Sequence, residues 1–206
     1  MESFGYEQRV RADDCSGGKP SGHGEVAERI ARGDMLVPSS LTLAQLHNVL
    51  QIAMGWENGH MHEFRVGQRR FGRPEPADPF MRMPRAESER TARLSAVLQR
   101  VGAKMIYTYD FGDSWEHAIV FEKQLPPDPD AKYPTCIDGK LACPPEDCGG
   151  IPGFYDLLNA LADPNHDRHE ELREWIGDDF DPQAFSVENV NRMLSPKRSH
   201  GKASKN

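Results

Sequence analysis

Apolar positions recur with two different periods along this chain, and the change from one to the other marks out its elements. Leu43, Leu46, Leu50 and Ala53, with Val49 beside them, keep the three- and four-residue spacing of one helix face. Thr42 stands where an N-cap is needed and Gly55 where a helix stops, so the spacing predicts a helix over 42–54. From His60 to Val66 the pattern alternates as in a strand, and Gly67-Gln68 turns it towards Arg69 to Phe71. Between Gly72 and Arg85, the prolines Pro74, Pro76, Pro79 and Pro84 deny a regular ladder or helix and predict a surface loop. Leu94, Val97 and Leu98 predict a helix over 87–100. The clearest hairpin follows, with arms at 104–111 and 115–123 joined by Gly112-Asp113-Ser114. In its second arm Trp115, His117, Ile119 and Phe121 share one face, and Glu116, Ala118, Val120 and Glu122 the other.

Residues 133–150 read as a loop containing Cys and Pro, followed by helices near 153–162, 166–176 and 186–194. The first 33 residues hold no sustained period and predict a poorly ordered segment, with ordered structure from Met35-Leu36-Val37-Pro38 onward. Three parts are therefore expected: 1–33, a single domain over 34–194, and a basic tail over 195–206. Strands gathered in the middle and helices at the end predict an α+β fold. Its expected form is a small, mostly antiparallel sheet around the hairpin 104–123, packed with the helix 42–54 and a C-terminal group of helices.

Charge narrows the choice of partner. The formal net charge is −7, but the last twelve residues carry Lys197, Arg198, Lys202 and Lys205 and no acid. Without those four the chain has 21 basic against 32 acidic residues, near −11. Such a body repels phosphate, whereas affinity for nucleic acid rests largely on phosphate neutralisation. The opening MESFGYEQRVRADD lacks an apolar core after a basic segment, and no apolar run approaches the ~20 residues of a membrane span. The expectation is a cytoplasmic protein without membrane contact. Its four cysteines, Cys15, Cys136, Cys143 and Cys148, then read as free thiols or metal ligands before disulfides.

Four strings carry a family resemblance: LTLAQLHNVLQIAMGWENGHMHEF, YTYDFGDSWEHAIVFEK, the long segment from YPTCIDGK through CPPEDCGG to DPQAF, and VNRML. Over about 37–194 they resemble the plasmid pRiA ORF-three-like family, also labelled insertion-element passenger TnpR-like proteins. The resemblance implies a compact α+β domain associated with plasmids and transposons, and no demonstrated activity. Members usually open with a strand and a Pro-Pro-Ile-Trp-Arg-Arg-like segment, which HGEVAERIARGD does not match. A missing first strand would leave an unpaired edge and invite a homodimer. The TnpR label does not carry serine-recombinase chemistry: Arg11 stands where the nucleophilic serine would be required, and a guanidinium cannot replace a hydroxyl.

Two clusters could make a site. The first is His60, His62, Asp110, Asp113, Glu116 and His117, where imidazoles two apart on a strand and carboxylates flanking a turn could hold a divalent metal. The competing reading is structural, with Asp building the turn and His117 satisfied beside Trp115 in the core. The second is Cys136, Cys143 and Cys148, a looser spacing than zinc sites favour, needing a fourth ligand such as His166 or His169. Packing as small apolar residues competes with it. The signature loop Pro144-Pro145-Glu146-Asp147-Cys148-Gly149-Gly150 reads as rigid, with glycines supplying unusual backbone angles. Tyr107, Tyr109, Phe111, Trp115 and Phe121 read as core before they read as a base-stacking platform. No phosphate-binding glycine loop, GxSxG elbow or HExxH helix is present.

The expectation is a non-enzymatic binding or interaction module. Its partner, protein or nucleic acid, would meet the surface near His60, His62, Asp110 and the 143–150 loop. The alternatives are a metal-dependent hydrolase or nuclease using His60, His62, Asp110 and His117, and an accessory DNA-binding protein in transposition or plasmid maintenance.

Overall fold

The computed structural model describes residues 7–14, 32–73, 85–126 and 128–195. Cys15 and the basic tail from Pro196 lie outside them. The strands are β1 (Glu7–Asp14), β2 (Arg32–Pro38), β3 (His62–Val66), β4 (Arg69–Gly72), β5 (Glu87–Ser88), β6 (Lys104–Tyr109), β7 (Trp115–Leu125) and β8 (Thr135–Lys140). The helices are α1 (Leu43–Met54), α2 (Leu94–Val97), α3 (Gly150–Ala162), α4 (His169–Ile176) and α5 (Val187–Leu194).

The eight strands among the described residues form one sheet in the order β5-β4-β3-β6-β7-β1-β2-β8. Every neighbouring pair is antiparallel except β4 and β5, which run parallel. The expectation of a small sheet around one hairpin is therefore wrong: the sheet is large and mixed, with helix and strand in roughly equal shares.

Two unrecognised strands account for much of the difference. Residues 7–14, expected to be poorly ordered, form β1, which lies between β7 and β2 in the interior of the sheet. Its alternation is weak because the inward face offers only Val10 and Ala12 as apolar residues, with the polar Gln8 buried beside them. Val10 and Ala12 point into the core, while Arg9 pairs with Asp34 at 2.7 Å and Arg11 pairs with Glu122. The sheet therefore has its first strand without the Pro-Pro-Ile-Trp-Arg-Arg-like segment, and β1 is not an edge. The second unrecognised strand, β8, lies inside the stretch read as a loop.

The helix expected over 87–100 shrinks to the four residues of α2. Glu87 and Ser88 instead pair with β4, and Glu89 turns inward and is buried. Backbone bonds from Leu94 N to Leu41 O (2.8 Å) and Ser95 N to Ser39 O (3.0 Å) tie the segment to the entry of α1.

The readings of α1 and of the hairpin hold. Thr42 and Gln45 form a reciprocal capping box, and Gly55 closes α1 in the left-handed region at φ 78°. Phe64, Tyr107, Tyr109, Trp115, Ile119, Phe121, Val10 and Met35 line one face of the sheet. Leu43, Leu46 and Leu50 of α1 and Phe154 and Leu157 of α3 complete the same core. Asp34 and Val120 apart, the alternate residues stay exposed or half-buried and carry pairs such as Arg70–Glu63 and Arg65–Glu116, leaving most of the other face solvated.

Because β1 pairs on both sides, its removal opens two edges at once. Deleting residues 1–14 is expected to cancel most of the ~5–15 kcal/mol available to a domain of this size and abolish the cooperative thermal transition. A transition within a few degrees of the parent's would show that β1 contributes little.

Candidate functional site

Tyr109, the last residue of β6, gathers three segments. Its buried hydroxyl donates to Glu146 Oε1 at 2.6 Å and accepts from the backbone N–H groups of Gly59 (3.1 Å) and His60 (3.3 Å). Glu146 Oε1 also accepts from Glu57 N at 2.9 Å. The Trp56 ring stacks on Tyr109 with centroids 4.6 Å apart, and its Nε1–H donates to Pro144 O at 3.0 Å. The signature loop is thereby fastened to the residues that follow α1. Burial, followed by the hydrogen bond to Glu146, pushes the Tyr109 phenol up to about 12, so it remains a donor at neutral pH.

The turn after Tyr109 sets the next carboxylate. Asp110 adopts φ 53°, its Oδ1 accepts from Gly112 N at 2.9 Å, and its own N–H donates to Met61 O at 2.9 Å. Gly149 N donates to Asp113 Oδ2 at 3.3 Å. Gly150, at φ 64°, lies so close that an added Cβ would fall 2.8 Å from Asp113 O. Only glycine permits this contact between the signature loop and the turn.

These constraints surround His60 with acids. Nδ1 lies 3.6 Å from Asp110 Oδ2, and Nε2 lies 3.4 Å from Asp147 Oδ1 and 3.9 Å from Glu146 Oε2. The imidazole is half-buried, and Asp147 is 75% exposed. Among the described residues, His60, Asp110 and Asp147 are the one set of three ligating side chains whose atoms lie within 4.8 Å of one another.

The other expected members of the first cluster go elsewhere. His60 precedes β3, so strand parity does not align it with His62. His62 is buried, with Nε2 2.6 Å from Glu89 Oε2. Asp113 holds Gly149, and Glu116 pairs with Arg65 on the solvated face. His117 is fully buried, its ring 5.4 Å from that of Trp56.

Nor do the three cysteines converge on a common centre. Cys136 sits in β8 with Sγ 3.3 Å from Asp138 O, Cys148 Sγ lies 3.9 Å from Gly150 O, and Cys143 is half-buried at the margin of the core. His166 faces Asp156 at 3.5 Å, and His169 Nδ1 bonds Ala160 O at 2.6 Å. Burial raises the Cys136 thiol and pushes Cys148 up to about 12.

Beneath the surface cluster lies a buried polar network. The His47 and His62 rings stack in parallel at 3.5 Å. Gln51 Nε2 donates to Tyr107 OH at 3.0 Å, so the Tyr107 proton points at His47 Nδ1, 2.8 Å away. His47 then donates through Nε2 to Asn58 Oδ1 at 2.7 Å, and Asn58 N donates to Gln51 Oε1 at 2.8 Å. Burial first, then mutual repulsion for His47 and the charge of Arg73 for His62, lowers each imidazole to about 4. Burial raises Glu89. His47 and Gln51 carried a signal in the sequence, two polar residues four apart within an apolar stripe. Glu89 carried none.

The profile of the plasmid pRiA4b ORF-3-like proteins matches residues 25–189. The chain belongs to this family. It is 41% identical over 169 residues to the uncharacterized protein y4hQ of Sinorhizobium fredii (strain NBRC 101917 / NGR234), covering 81% of this chain and 84% of that protein. The crystal structure of MM3350, a protein of unknown function from Methanosarcina mazei Go1, superposes with a TM-score of 0.75 at 30% identity. That match covers 91% of this chain and 99% of the other. No helix of the described residues is long and apolar enough to cross a membrane.

The stacked imidazoles of this family member make its stability depend on pH. The unfolded chain protonates histidine near 6.5 and the folded chain near 4, so unfolding is favoured as pH falls through that window. The loss is at most roughly 3 kcal/mol per imidazole. The raised Glu89 works the other way: its stabilisation is present at low pH and fades as pH rises through its folded value. Urea unfolding from pH 7.5 down to 4.5 is expected to show a net fall, and a flat profile would contradict the buried neutral pair.

Proposed function

We propose that this chain is a non-enzymatic interaction domain that receives a cationic side chain of a protein partner among His60, Asp110, Glu146 and Asp147. The observation behind this reading is the convergence of three segments, distant in sequence, that bring three carboxylates around one accessible imidazole. Met61 and Phe111, 55% and 50% exposed, are neighbours in the chain of His60 and Asp110, and Asp110 N bonds Met61 O. A lysine or arginine has the matching anatomy, an apolar stem for such side chains and a charged head for the carboxylates. Acidity here and in the whole body disfavours phosphate, which weighs against the DNA-binding alternative. Glu146, held by Tyr109 and Glu57, serves as a fixed acceptor and not as a mobile base.

A second reading rests on the same geometry. His60, Asp110 and Asp147 could hold a divalent cation, their one nitrogen and two carboxylates suiting zinc or manganese, as a metal-dependent hydrolase or nuclease would require.

Amide chemical shifts of the full chain, followed during titration with acetylated hexa-arginine and separately with Mn2+, decide between the two. The interaction reading expects saturable peptide shifts confined to 59–61, 110–114 and 146–149, weakened about tenfold, or 1.4 kcal/mol, by Asp147→Asn. Saturable Mn2+ broadening there without a peptide response would favour the metal. Shifts scattered over the acidic helices would defeat both.

A further inference from the structure

The β8 edge of the sheet is occupied by a side chain. Asn191 of α5 accepts from Cys136 N at 2.7 Å and donates through Nδ2 to Cys136 O at 2.8 Å. Thr135 Oγ1 adds a third bond to Asn191 Oδ1 at 3.0 Å. A primary amide offers one acceptor and one donor facing the same way, as a paired residue in a neighbouring strand does. Since β8 is the last strand in the order among the described residues, Asn191 reproduces one rung of a ladder that a ninth strand would continue.

The surroundings hold that amide in place. Val190 is buried, and Ser186 caps α5 by accepting from Asn189 N at 3.1 Å. Ahead of α5, Ala142 N bonds Pro182 O at 3.1 Å, and Phe185 packs on Gly139 so closely that a Cβ there would lie 2.3 Å from its ring. The 182–191 segment thus follows β8. A register shift between Asp34 and Met35 further interrupts the strand beside Ile137, which is 41% exposed. The opposite edge, β5, is only two residues long and offers little to pair with.

We propose that Asn191 is an edge guard, withholding β8 from antiparallel pairing with β8 of a second copy of this chain. A side chain that merely ties α5 to the sheet would lose stability when removed and stay at the parent's association state. A guard, when removed, releases self-association.

Sedimentation velocity of the full chain over a concentration series distinguishes these roles. Asn191→Ala is expected to associate at least about tenfold more tightly than the parent (1.4 kcal/mol), with faster amide exchange at Cys136 in the dilute sample. Adding Ile137→Lys, a charge on the exposed edge, is expected to return the mass to that of the parent. An Asn191→Ala protein with the parent's circular dichroism and the parent's mass at every concentration would overturn the proposal, as would association that Ile137→Lys leaves untouched. Should Asn191→Ala fail to fold, Asn191→Asp, which keeps the acceptor and loses the donor, is read by the same two criteria.

Discussion

The Tyr109 hydroxyl is the point on which the surface site depends. A phenol buried at the end of a central strand must satisfy both its proton and its lone pairs inside the protein. It does so with Glu146 on one side and the N–H groups of Gly59 and His60 on the other. Those bonds fix the positions of two segments, 89 residues apart between Glu57 and Glu146, around one oxygen. His60 faces its three carboxylates because Tyr109 has already placed its backbone. Trp56, stacked on the same ring and bonded to Pro144, ties the signature loop to this junction.

Two layers of polar chemistry result, with opposite character. At the surface, three carboxylates crowd around an accessible imidazole. Below it, His47, His62, Glu89, Tyr107, Gln51 and Asn58 form a closed network in which burial favours neutral forms. Asn58 belongs to both layers, since it ends the buried chain and directly precedes the Gly59-His60 pair held by Tyr109. The inner layer fixes the outer one, because a buried network tolerates few geometries in which every donor is met.

Local signals explain which parts were legible in the sequence. The helix α1 carries its start and stop signals in Thr42 and Gly55, directly flanking its twelve residues, and the hairpin alternates in both arms, so each could be read without knowledge of its neighbours. β1 could not, because Arg9 and Arg11 make sense only opposite Asp34 and Glu122, which are distant in the chain. β8 escaped because its edge is completed by Asn191, a contact no periodicity reveals. In the site, His60 and Asp110 stood out by residue type, and the stiffness of 144–150 was visible in its prolines and glycines. That Glu146 and Asp147 would come to His60 was not visible. Parity misplaced His62, since the strand begins at that residue and the backbone before it follows Tyr109.

The most direct test is a double-mutant cycle on Tyr109 and Glu146, using Tyr109→Phe, Glu146→Gln and the pair in urea unfolding at pH 7.5. A partly buried hydrogen bond to a carboxylate that organises the junction predicts a coupling energy of about 1.5–3 kcal/mol. Additive effects, within about 0.5 kcal/mol, would mean that the two side chains do not act together and that something else assembles the site.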